Sequence, residues 1–232
     1  MKGNVAIIPA RGGSKRIPRK NILEFAGIPL IGRTILMAKE TDLFEKIVVT
    51  TDDEEIATIA AKFGAEIPKL RAKNLSDDFT TTYDVMADSL THSWLGEFSP
   101  QYACCLYPVT PLLTSSKIQE AFDLIKTNRY SYVFSAIGFN TPIERSFKID
   151  NKGSVSMNFP EHLLTRSQDL EQSFHDAGQF YWGKCESWLT KEPIFSPKST
   201  AIKFKDYELV DVDTIEDLKW AETLFKSRNE KN

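Results

Sequence analysis

The sequence predicts one α/β domain built on a doubly wound, mostly parallel sheet. Short apolar runs alternate with helical patterns over the first 137 residues. Most of these runs are continuously apolar, as in strands that are buried on both faces of a parallel sheet. The length of 232 residues fits one such domain and is short for two independent ones. Ligands of doubly wound sheets bind at the carboxyl ends of the strands, so we expect the functional residues to follow strands.

Each predicted element rests on its own local pattern. The strands are predicted at residues 5–9, 46–51, 66–70, 102–107 and 132–137. Helices are predicted at residues 31–40, 53–63 and 116–127. The second of these helices has Asp52 or Asp53 as its N-cap and Gly64 just after its end. A strand at residues 209–212 and a helix at residues 214–225 close the domain.

Residues 140–184 interrupt this pattern. The segment KIDNKGSVSM predicts a β-hairpin with its turn at residues 150–153. The stretch that follows is polar, irregular and too long for a plain loop, and such stretches inside compact domains are usually functional or form interfaces. The sequence therefore predicts an α/β domain of residues 1–139 and 185–232, with an insertion at residues 140–184.

The composition argues against several classes of function. A net charge of −3 gives no general attraction to nucleic acid or to an anionic membrane, so we expect neither as a partner. Three cysteines without CxxC spacing predict free thiols, not disulfides or a zinc site. The apolar runs are too short for a signal peptide or a membrane span, and we therefore expect a cytoplasmic protein.

The strongest local signal is the loop of residues 10–21, called the first loop below. It follows the first predicted strand and contains the pair Gly12 and Gly13. Its five cations are Arg11, Lys15, Arg16, Arg19 and Lys20. Glycines let backbone N–H groups approach an anion, and the cations supply charge to a polyphosphate. The spacing matches neither a Walker loop nor a GxGxxG fingerprint, so composition alone leaves a phosphate site and a solvated basic loop open.

The full string VAIIPARGGSKRIPRKN is more specific than its composition. It resembles the first motif of the nonulosonate cytidylyltransferases, the CMP–sialic acid synthetase family. The segments FAGIPLIGRTI, VVTTDDEEIATIAAKFGAE and LYPVTPLL resemble later segments of that family in the same order. The resemblance implies a three-layer α/β/α fold like that of the nucleotide-diphospho-sugar transferases. It also implies transfer of CMP from CTP to an acidic nine-carbon sugar, with release of pyrophosphate.

The same resemblance implies roles for individual residues. Lys20 would act at the reacting α-phosphate and Arg11 on the phosphates, as catalytic residues. The implied nucleotide-binding residues are Ala10, Arg11, Gly13, Ser14, Lys15, Asn21, Arg71, Asp78 and Thr82.

Local alternatives stay open for some of these residues. For Lys15, Arg16 and Arg19, phosphate contact and simple solvation are equally open. Asp78 or Thr80 could instead cap the helix that follows them.

Two aspartates near the end of the chain predict a metal site. Asp211 and Asp213 are two residues apart on a predicted strand, so their side chains point to the same face. Such a pair suits Mg²⁺ (or Mn²⁺), which takes oxygen ligands. The family uses matching aspartates for its metal, which implies that Asp211 is also catalytic. Asp213 could merely cap the final helix, but that leaves Asp211 unexplained.

The segment TRSQDLEQSFHDAGQFYWG indicates the acceptor sugar. It resembles the pseudaminate branch of the family more than the sialate branch, in which an arginine usually stands at the position of His175. In addition, Tyr107 stands where sialate enzymes typically have glutamine. The implied sugar-binding residues are Tyr107, Arg166, His175, Gln179 and Tyr181, with Arg166 suited to the sugar carboxylate. His175 could equally be a surface histidine, and sialate, legionaminate and Kdo are the alternative acceptors.

Two other classes of protein compete with this interpretation. Asp211 and Asp213 could be the DxD motif of a glycosyltransferase. That motif is expected near residue 105, however, and the basic first loop suits a triphosphate better than a diphosphate sugar. The chain could also be a nucleotide-binding module without activity, against which Lys20 and the aspartate pair both argue.

We also expect a homodimer. The segment from about Asn140 to Phe174 carries scattered apolar residues, and a hairpin of this size has no core of its own. Packing against a two-fold partner would bury both copies. The family pairs this way, which implies that Arg166 completes the site of the other subunit. The alternative is a hairpin that folds back on its own sheet as a lid.

Overall fold

The structure is a computed structural model that describes residues 3–229. Its strands are β1 Asn4–Pro9, β2 Glu24–Phe25, β3 Ile28–Pro29, β4 Lys46–Thr50, β5 Tyr102–Leu106, β6 Tyr132–Gly138, β7 Phe147–Ile149, β8 Val155–Met157, β9 Phe174–Lys184 and β10 Ser199–Phe204. Its helices are α1 Leu30–Glu40, α2 Glu54–Lys62, α3 Thr82–Ser89, α4 His92–Leu95, α5 Ser115–Ile125, α6 Cys185–Leu189 and α7 Ile215–Asn229. None of the helices within residues 3–229 is long and apolar enough to cross a lipid bilayer.

The central sheet has six strands in the order β10–β6–β9–β5–β1–β4. β1 pairs in parallel with β4 and β5, and β10 pairs in parallel with β6. β9 is antiparallel to both of its neighbours, β5 and β6. The mostly parallel sheet that the sequence predicts is confirmed. Because β9 runs in the opposite direction, its first residues lie at the edge where β1, β5 and β6 end, called the carboxyl edge below.

Helices cover both faces of this sheet. On one face, Ile35 of α1, Ile56 of α2 and Ile118 of α5 pack in one apolar cluster with the strands. On the other face, Met86 of α3 and Trp188 of α6 belong to a second cluster. Strands such as β5, which is buried along its whole length, are apolar on both sides and need both layers. The three-layer arrangement follows.

The ends of α2 show how local sequence sets an element. The Asp53 side chain accepts hydrogen bonds from the backbone N–H groups of Glu55 and Ile56, both at 3.0 Å. Gly64 follows the helix with a φ of +89°, which costs glycine little. The predicted cap and stop are confirmed, and Asp53, not Asp52, is the cap.

Two predicted strands are wrong. In residues 66–70, only Glu66 makes a bridge, to Val48, because Pro68 has no N–H for the ladder. Residues 209–212 also do not form a strand; their valines turn instead toward a third apolar cluster that includes Ala221 of α7.

The central sheet also contains β10, a strand that the sequence patterns do not predict. This strand lies at the edge of the sheet beside β6 and is only partly buried. Its sequence, STAIKF, is neither continuously apolar nor strictly alternating, so neither strand pattern predicts it.

The predicted insertion at residues 140–184 ends too late. Its last eleven residues form β9, which lies inside the central sheet between β5 and β6. The predicted hairpin is confirmed: β7 and β8 pair antiparallel, and the Asp150 side chain organises the turn by accepting from the N–H groups of Lys152 and Ser154. The segment outside the sheet therefore spans residues 140–173.

Candidate active site

The first loop leaves β1 at the carboxyl edge and is fixed there by hydrogen bonds. The Ala10 N–H donates to the Thr50 carbonyl at 2.9 Å, so the loop begins in register with β4. The Gly12 N–H donates to Asp52 at 2.9 Å. The buried Asn21 side chain donates to the Arg11 carbonyl at 2.9 Å, which closes the loop on itself.

The two glycines of the first loop differ. A Cβ atom on Gly12 would lie 2.8 Å from an Asp53 carboxylate oxygen, so this position requires glycine. A Cβ atom on Gly13 would meet nothing within 4 Å. Gly13 is exposed, and the adjacent Ser14 donates its N–H to the Gly12 carbonyl at 3.0 Å. The turn at Gly12 and Ser14 thus shapes the loop, while Gly13 leaves open space beside it.

Arg19 turns away from the rest of the loop. Its guanidinium pairs with Asp53 and with Glu55 at the start of α2. The hydrogen bond from Arg19 is the main reason that the pKa of Asp53 is lowered. Arg19 therefore anchors the loop to α2, a third possibility beside the two that the sequence left open.

Arg11 and Lys15 meet Asp78, which comes from the loop of residues 71–82, called the second loop below. Asp78 accepts from Arg11 at 2.8 Å and also pairs with Lys15. These two cations, Lys15 first, lower the pKa of Asp78. Arg11 also donates to the Asp77 carbonyl at 2.8 Å. The structure thus brings together three of the predicted nucleotide-binding residues.

A cavity of about 240 Å³ lies between the two loops. Arg11, Arg71, Asp78, Thr82 and Tyr107 are among the residues that line it. Arg71 is only 5% exposed, and this burial lowers its pKa. Its Nε donates to Ser76 at 3.1 Å. A buried cation beside a small cavity is expensive unless it meets an anion or a polar ligand, so the cavity suits a polar, negatively charged molecule.

The acidic residues of the second loop, Asp77 and Asp78, do not cap the helix that follows. Thr81 is the N-cap of α3, in a capping box with Asp84. The alternative in which Asp78 or Thr80 caps α3 is therefore wrong. Asp77 instead accepts from the N–H and the hydroxyl of Thr80, both at 2.7 Å. Asp78 is left to pair with the cations of the first loop.

Lys20 lies beside the aspartates near the end of the chain. Its Nζ donates to the Val212 carbonyl at 2.6 Å and is 3.4 Å from Asp213. Arg16 also pairs with Asp213. Residues nearly two hundred positions apart in the sequence, Lys20 and Asp213, are therefore neighbours, as the predicted catalytic and metal roles require.

Asp211 completes this group. It is exposed at the surface, yet the surrounding protein removes part of its hydration and, together with the charge of Asp213, raises its pKa. The pair does not lie on a strand, contrary to the prediction, but the two carboxylates interact all the same. Thr214 caps the start of α7, since its hydroxyl accepts from the Asp217 N–H at 3.2 Å. Asp213 is thereby free of that role.

The predicted sugar-binding residues fall into two groups. Tyr107, Gln179 and Tyr181 lie together at the carboxyl edge, where the Tyr107 N–H donates to the Gln179 carbonyl at 3.0 Å. The rings of Tyr107 and Tyr181 pack edge to face at 5.7 Å. Burial raises the pKa of Tyr107 to about 12. The hydroxyl of Tyr107 is 2.9 Å from that of Thr82, which links this group to the nucleotide cavity.

The other two predicted sugar-binding residues lie apart from that group. His175 is exposed at the start of β9, and its ring packs on Phe139 at 4.9 Å. Arg166 is exposed on the segment outside the sheet and pairs with Asp169 at 2.8 Å. The structure therefore does not bring Arg166 to the cavity of its own chain.

Potential metal ligands are few at this edge. Within residues 3–229, no group of three or more His, Cys, Asp or Glu side chains could hold a metal ion together. A metal held by Asp211 and Asp213 stays a prediction, and an ion bound by only two carboxylates would take its other ligands from substrate and water.

Comparison with known proteins identifies the family. A model of the cytidylyltransferase family matches residues 5–228. The chain belongs to the cytidylyltransferase family. A pseudaminic acid cytidylyltransferase of Campylobacter jejuni is 40% identical over 227 residues, which cover 98% of each chain. A CMP-N,N′-diacetyllegionaminic acid synthase of Legionella pneumophila is 30% identical and covers 97% of each chain.

A solved structure confirms the fold of this cytidylyltransferase. A CMP:2-keto-3-deoxy-manno-octonic acid synthetase in complex with CTP superposes with a TM-score of 0.71. The match covers 97% of this chain and 99% of the other at 13% identity. The predicted nucleotidyltransferase-like α/β fold and the resemblance that suggested it are both confirmed.

Proposed function

We propose that this cytidylyltransferase transfers CMP from CTP to pseudaminic acid and releases pyrophosphate. The observation that supports this most is the arrangement of charge at the carboxyl edge. Arg11 of the first loop and Arg71 of the second loop line a small cavity, and Lys20 lies 3.4 Å from Asp213 of the pair Asp211 and Asp213. The 40% identity to the Campylobacter relative over nearly the whole chain favours pseudaminic acid as the acceptor.

The nucleotide would occupy the cavity between the two loops. Arg11 and Lys15 supply charge for the triphosphate, and Arg71 faces the base and ribose. Asp78 pairs with both Arg11 and Lys15, so a triphosphate that binds these cations must replace its carboxylate. Phosphate oxygens make the same charge-assisted hydrogen bonds with more negative charge, which favours the exchange.

The reacting phosphate would lie beside Lys20. As the anomeric hydroxyl of the sugar attacks the α-phosphorus, the bond to the β-phosphate breaks and pyrophosphate leaves. Negative charge grows on the oxygens around phosphorus, and a fixed ammonium group stabilises it. Hydrogen bonding to the Val212 carbonyl holds that group in place before substrate arrives. A covalent intermediate with the enzyme is not required.

Asp211 and Asp213 would hold a divalent cation, Mg²⁺ or Mn²⁺. Their chemistry fits such an ion, because burial and the charge of Asp213, which raise the pKa of Asp211, disfavour two ionised carboxylates, and a bound cation would offset that cost. When bound, the ion would neutralise phosphate charge and lower the pKa of the attacking hydroxyl.

The acceptor would lie over the start of β9, next to Tyr107 and Tyr181. Tyr107 lines the nucleotide cavity and Tyr181 packs against the Tyr107 ring, so an acceptor at this place would bring its hydroxyl close to phosphorus. Legionaminic acid is the alternative that a specific observation favours, since a synthase for its CMP derivative is 30% identical over nearly the whole chain.

The segment outside the sheet would form a homodimer interface. Its large apolar side chains are exposed, with Ile149 at 64% and Leu164 at 92%. Surfaces of this kind are covered in the working protein, and a second copy of the chain covers both at once. Arg166, which is remote from its own cavity, would then reach the acceptor of the partner subunit.

Pyrophosphate release from CTP in the presence of Mg²⁺ tests this proposal. The acceptors are pseudaminic acid, N-acetylneuraminic acid, legionaminic acid and Kdo, and UTP serves as the control nucleotide. We expect fast release with CTP and pseudaminic acid and little with UTP. Release that does not depend on any sugar, or none with all four, contradicts the proposal.

A further inference from the structure

β9 contains a bulge near its start. Between the pairs Phe134–Tyr181 and Ala136–Asp176, β6 has one residue whereas β9 has four, residues 177–180. The extra residues lie at the carboxyl edge, next to the proposed acceptor position. Bulges beside active sites change the direction in which side chains point, and this bulge lies beside the proposed active site.

Buried hydrogen bonds fix the shape of the bulge. The hydroxyl of Ser135, which is fully buried, accepts from the N–H groups of Gln179 at 3.0 Å and Phe180 at 3.4 Å. Gly178 has a φ of +59°, a conformation that favours glycine. The bulge is therefore a defined structure with its own supports, not a slip in register.

Asp176 ties the two ends of the bulge together. One carboxylate oxygen accepts from the Gly178 N–H at 2.9 Å, and the other accepts from the Tyr181 hydroxyl. Tyr181 is 5% exposed, so its hydroxyl is held in an environment where a charged hydrogen bond is strong. Asp176 itself is half-buried, between exposed His175 and the buried part of β9.

The contacts of Tyr181 extend from Asp176 toward the nucleotide cavity. Its ring packs against Tyr107, whose hydroxyl is 2.9 Å from that of Thr82 at the start of α3. Asp176, Tyr181, Tyr107 and Thr82 thus form a row of contacts from the start of β9 to the nucleotide cavity. The sheet order places β5, which carries Tyr107 after its end, between β9 and β1.

We propose that Asp176 is a positioning residue that sets which nonulosonic acid is accepted, by fixing Tyr181 and Tyr107 in one arrangement beside the acceptor. The inference rests on the proposed function. An ionised carboxylate only accepts hydrogen bonds, so Asp176 fixes the direction of the Tyr181 hydroxyl. A site with fixed polar groups rejects sugars whose substituents leave those groups unpaired.

Asp176→Asn and Tyr181→Phe test this inference. For each variant, kcat and KM are measured for pseudaminic acid, N-acetylneuraminic acid and CTP. We expect the ratio of kcat/KM for the two sugars to fall about tenfold, as the loss of one charge-assisted hydrogen bond allows. The KM for CTP changes much less than the selectivity, because Arg11, Lys15 and their ion pairs are untouched.

Tyr132→Phe is the matched control. Tyr132 is fully buried on β6, and its hydroxyl has no hydrogen-bond partner within residues 3–229. Removing this hydroxyl leaves both the selectivity and the KM for CTP unchanged. The control shows what the loss of a buried tyrosine hydroxyl does when that hydroxyl positions nothing.

Equal losses for both sugars in Asp176→Asn and Tyr181→Phe would overturn the inference, because they indicate a role in stability alone. Unchanged kinetics in both variants would overturn it as well. If Asp176→Asn does not fold, Tyr181→Phe decides, since it keeps the ring in the core. Failure of the proposed function is distinct: in that case the wild type itself turns over neither sugar.

Discussion

The five cations of the first loop do not share one role. Arg19 pairs with Asp53 and Glu55 at the start of α2. The other four cations pair with Asp78 or with Asp213. The residues that pair with Asp78 and Asp213 face the proposed substrates. Phosphate would therefore replace Asp78 at Arg11 and Lys15, whereas a metal would compete with Arg16 and Lys20 for Asp213.

Asp78 competes with the nucleotide in this account. Asp78→Asn removes the charge that holds Arg11 and Lys15, so we expect CTP to bind more tightly. The expected gain is about two- to fivefold in Kd, a small effect because these ion pairs are exposed to solvent. Isothermal titration calorimetry measures it, and Glu55→Gln, which loses a charge beside Arg19 in the same region, is the control. Weaker binding by Asp78→Asn would show instead that Asp78 contacts the nucleotide.

We expect the ionised Asp211 side chain to lower the stability of the folded chain although turnover requires it. Burial and the charge of Asp213 raise its pKa, so the ionised form is disfavoured in the folded chain. The wild type is therefore destabilised as pH rises from below the ordinary value of ~3.9 through the raised pKa of the folded state. Asp211→Asn lacks this penalty, and without metal it should have a higher Tm at pH 7 and yet no useful turnover.

The pH dependence supplies the control for that variant. The difference in Tm between Asp211→Asn and the wild type should vanish at pH values where the wild-type carboxyl is protonated in both states. A lower Tm at pH 7, or near-wild-type turnover at saturating Mg²⁺, would contradict the proposed role of Asp211.

At the scale of elements, apolar runs predicted four of the six strands of the central sheet, and helical patterns predicted its main helices. β1, β4, β5 and β6 lie where continuous apolar runs occur, because strands buried on both faces leave no choice of residue type. β10 lacks that signal at the edge of the sheet. β9 starts in a polar segment, and its bulge depends on Ser135 of another strand, which no local pattern in HDAGQFYW could reveal.

The start of α2 offers a test at this scale. Asp53 caps the helix and also receives Arg19 from the first loop, so Asp53→Ala removes both supports. We expect a loss of about 1–2 kcal/mol in the free energy of unfolding, the size of a lost N-cap with its partner. Urea denaturation measures it, and Glu54→Ala in the first turn should cost much less. Equal costs for the two variants would contradict the capping role.

At the scale of the whole molecule, the site joins the two ends of the sequence. Lys20 and Asp213 are neighbours only because α7 and the segment before it return to the carboxyl edge. Sequence patterns predicted both residues through their family resemblance. They could not predict that Asp78 and Asp213 pair with the loop cations, since such contacts depend on how distant loops meet.

The exposed apolar surface of residues 140–173 leads to a prediction about assembly. We expect a dimer in sedimentation equilibrium at micromolar concentration, because Leu164 and its apolar neighbours are otherwise left in water. Mixing inactive Arg166→Ala with inactive Lys20→Ala subunits should restore part of the activity if Arg166 serves the partner's site. A monomer contradicts the dimer, and an inactive mixed dimer places Arg166 in the site of its own chain.

Product analysis shows which bond the protein makes. The protein is incubated with CTP, Mg²⁺ and equal amounts of pseudaminic acid and N-acetylneuraminic acid, and the products are identified by mass spectrometry. The account predicts CMP–pseudaminic acid as the dominant product, formed in a one-to-one ratio with pyrophosphate. A dominant CMP–N-acetylneuraminic acid product, or no conjugate of CMP with either sugar, would contradict it.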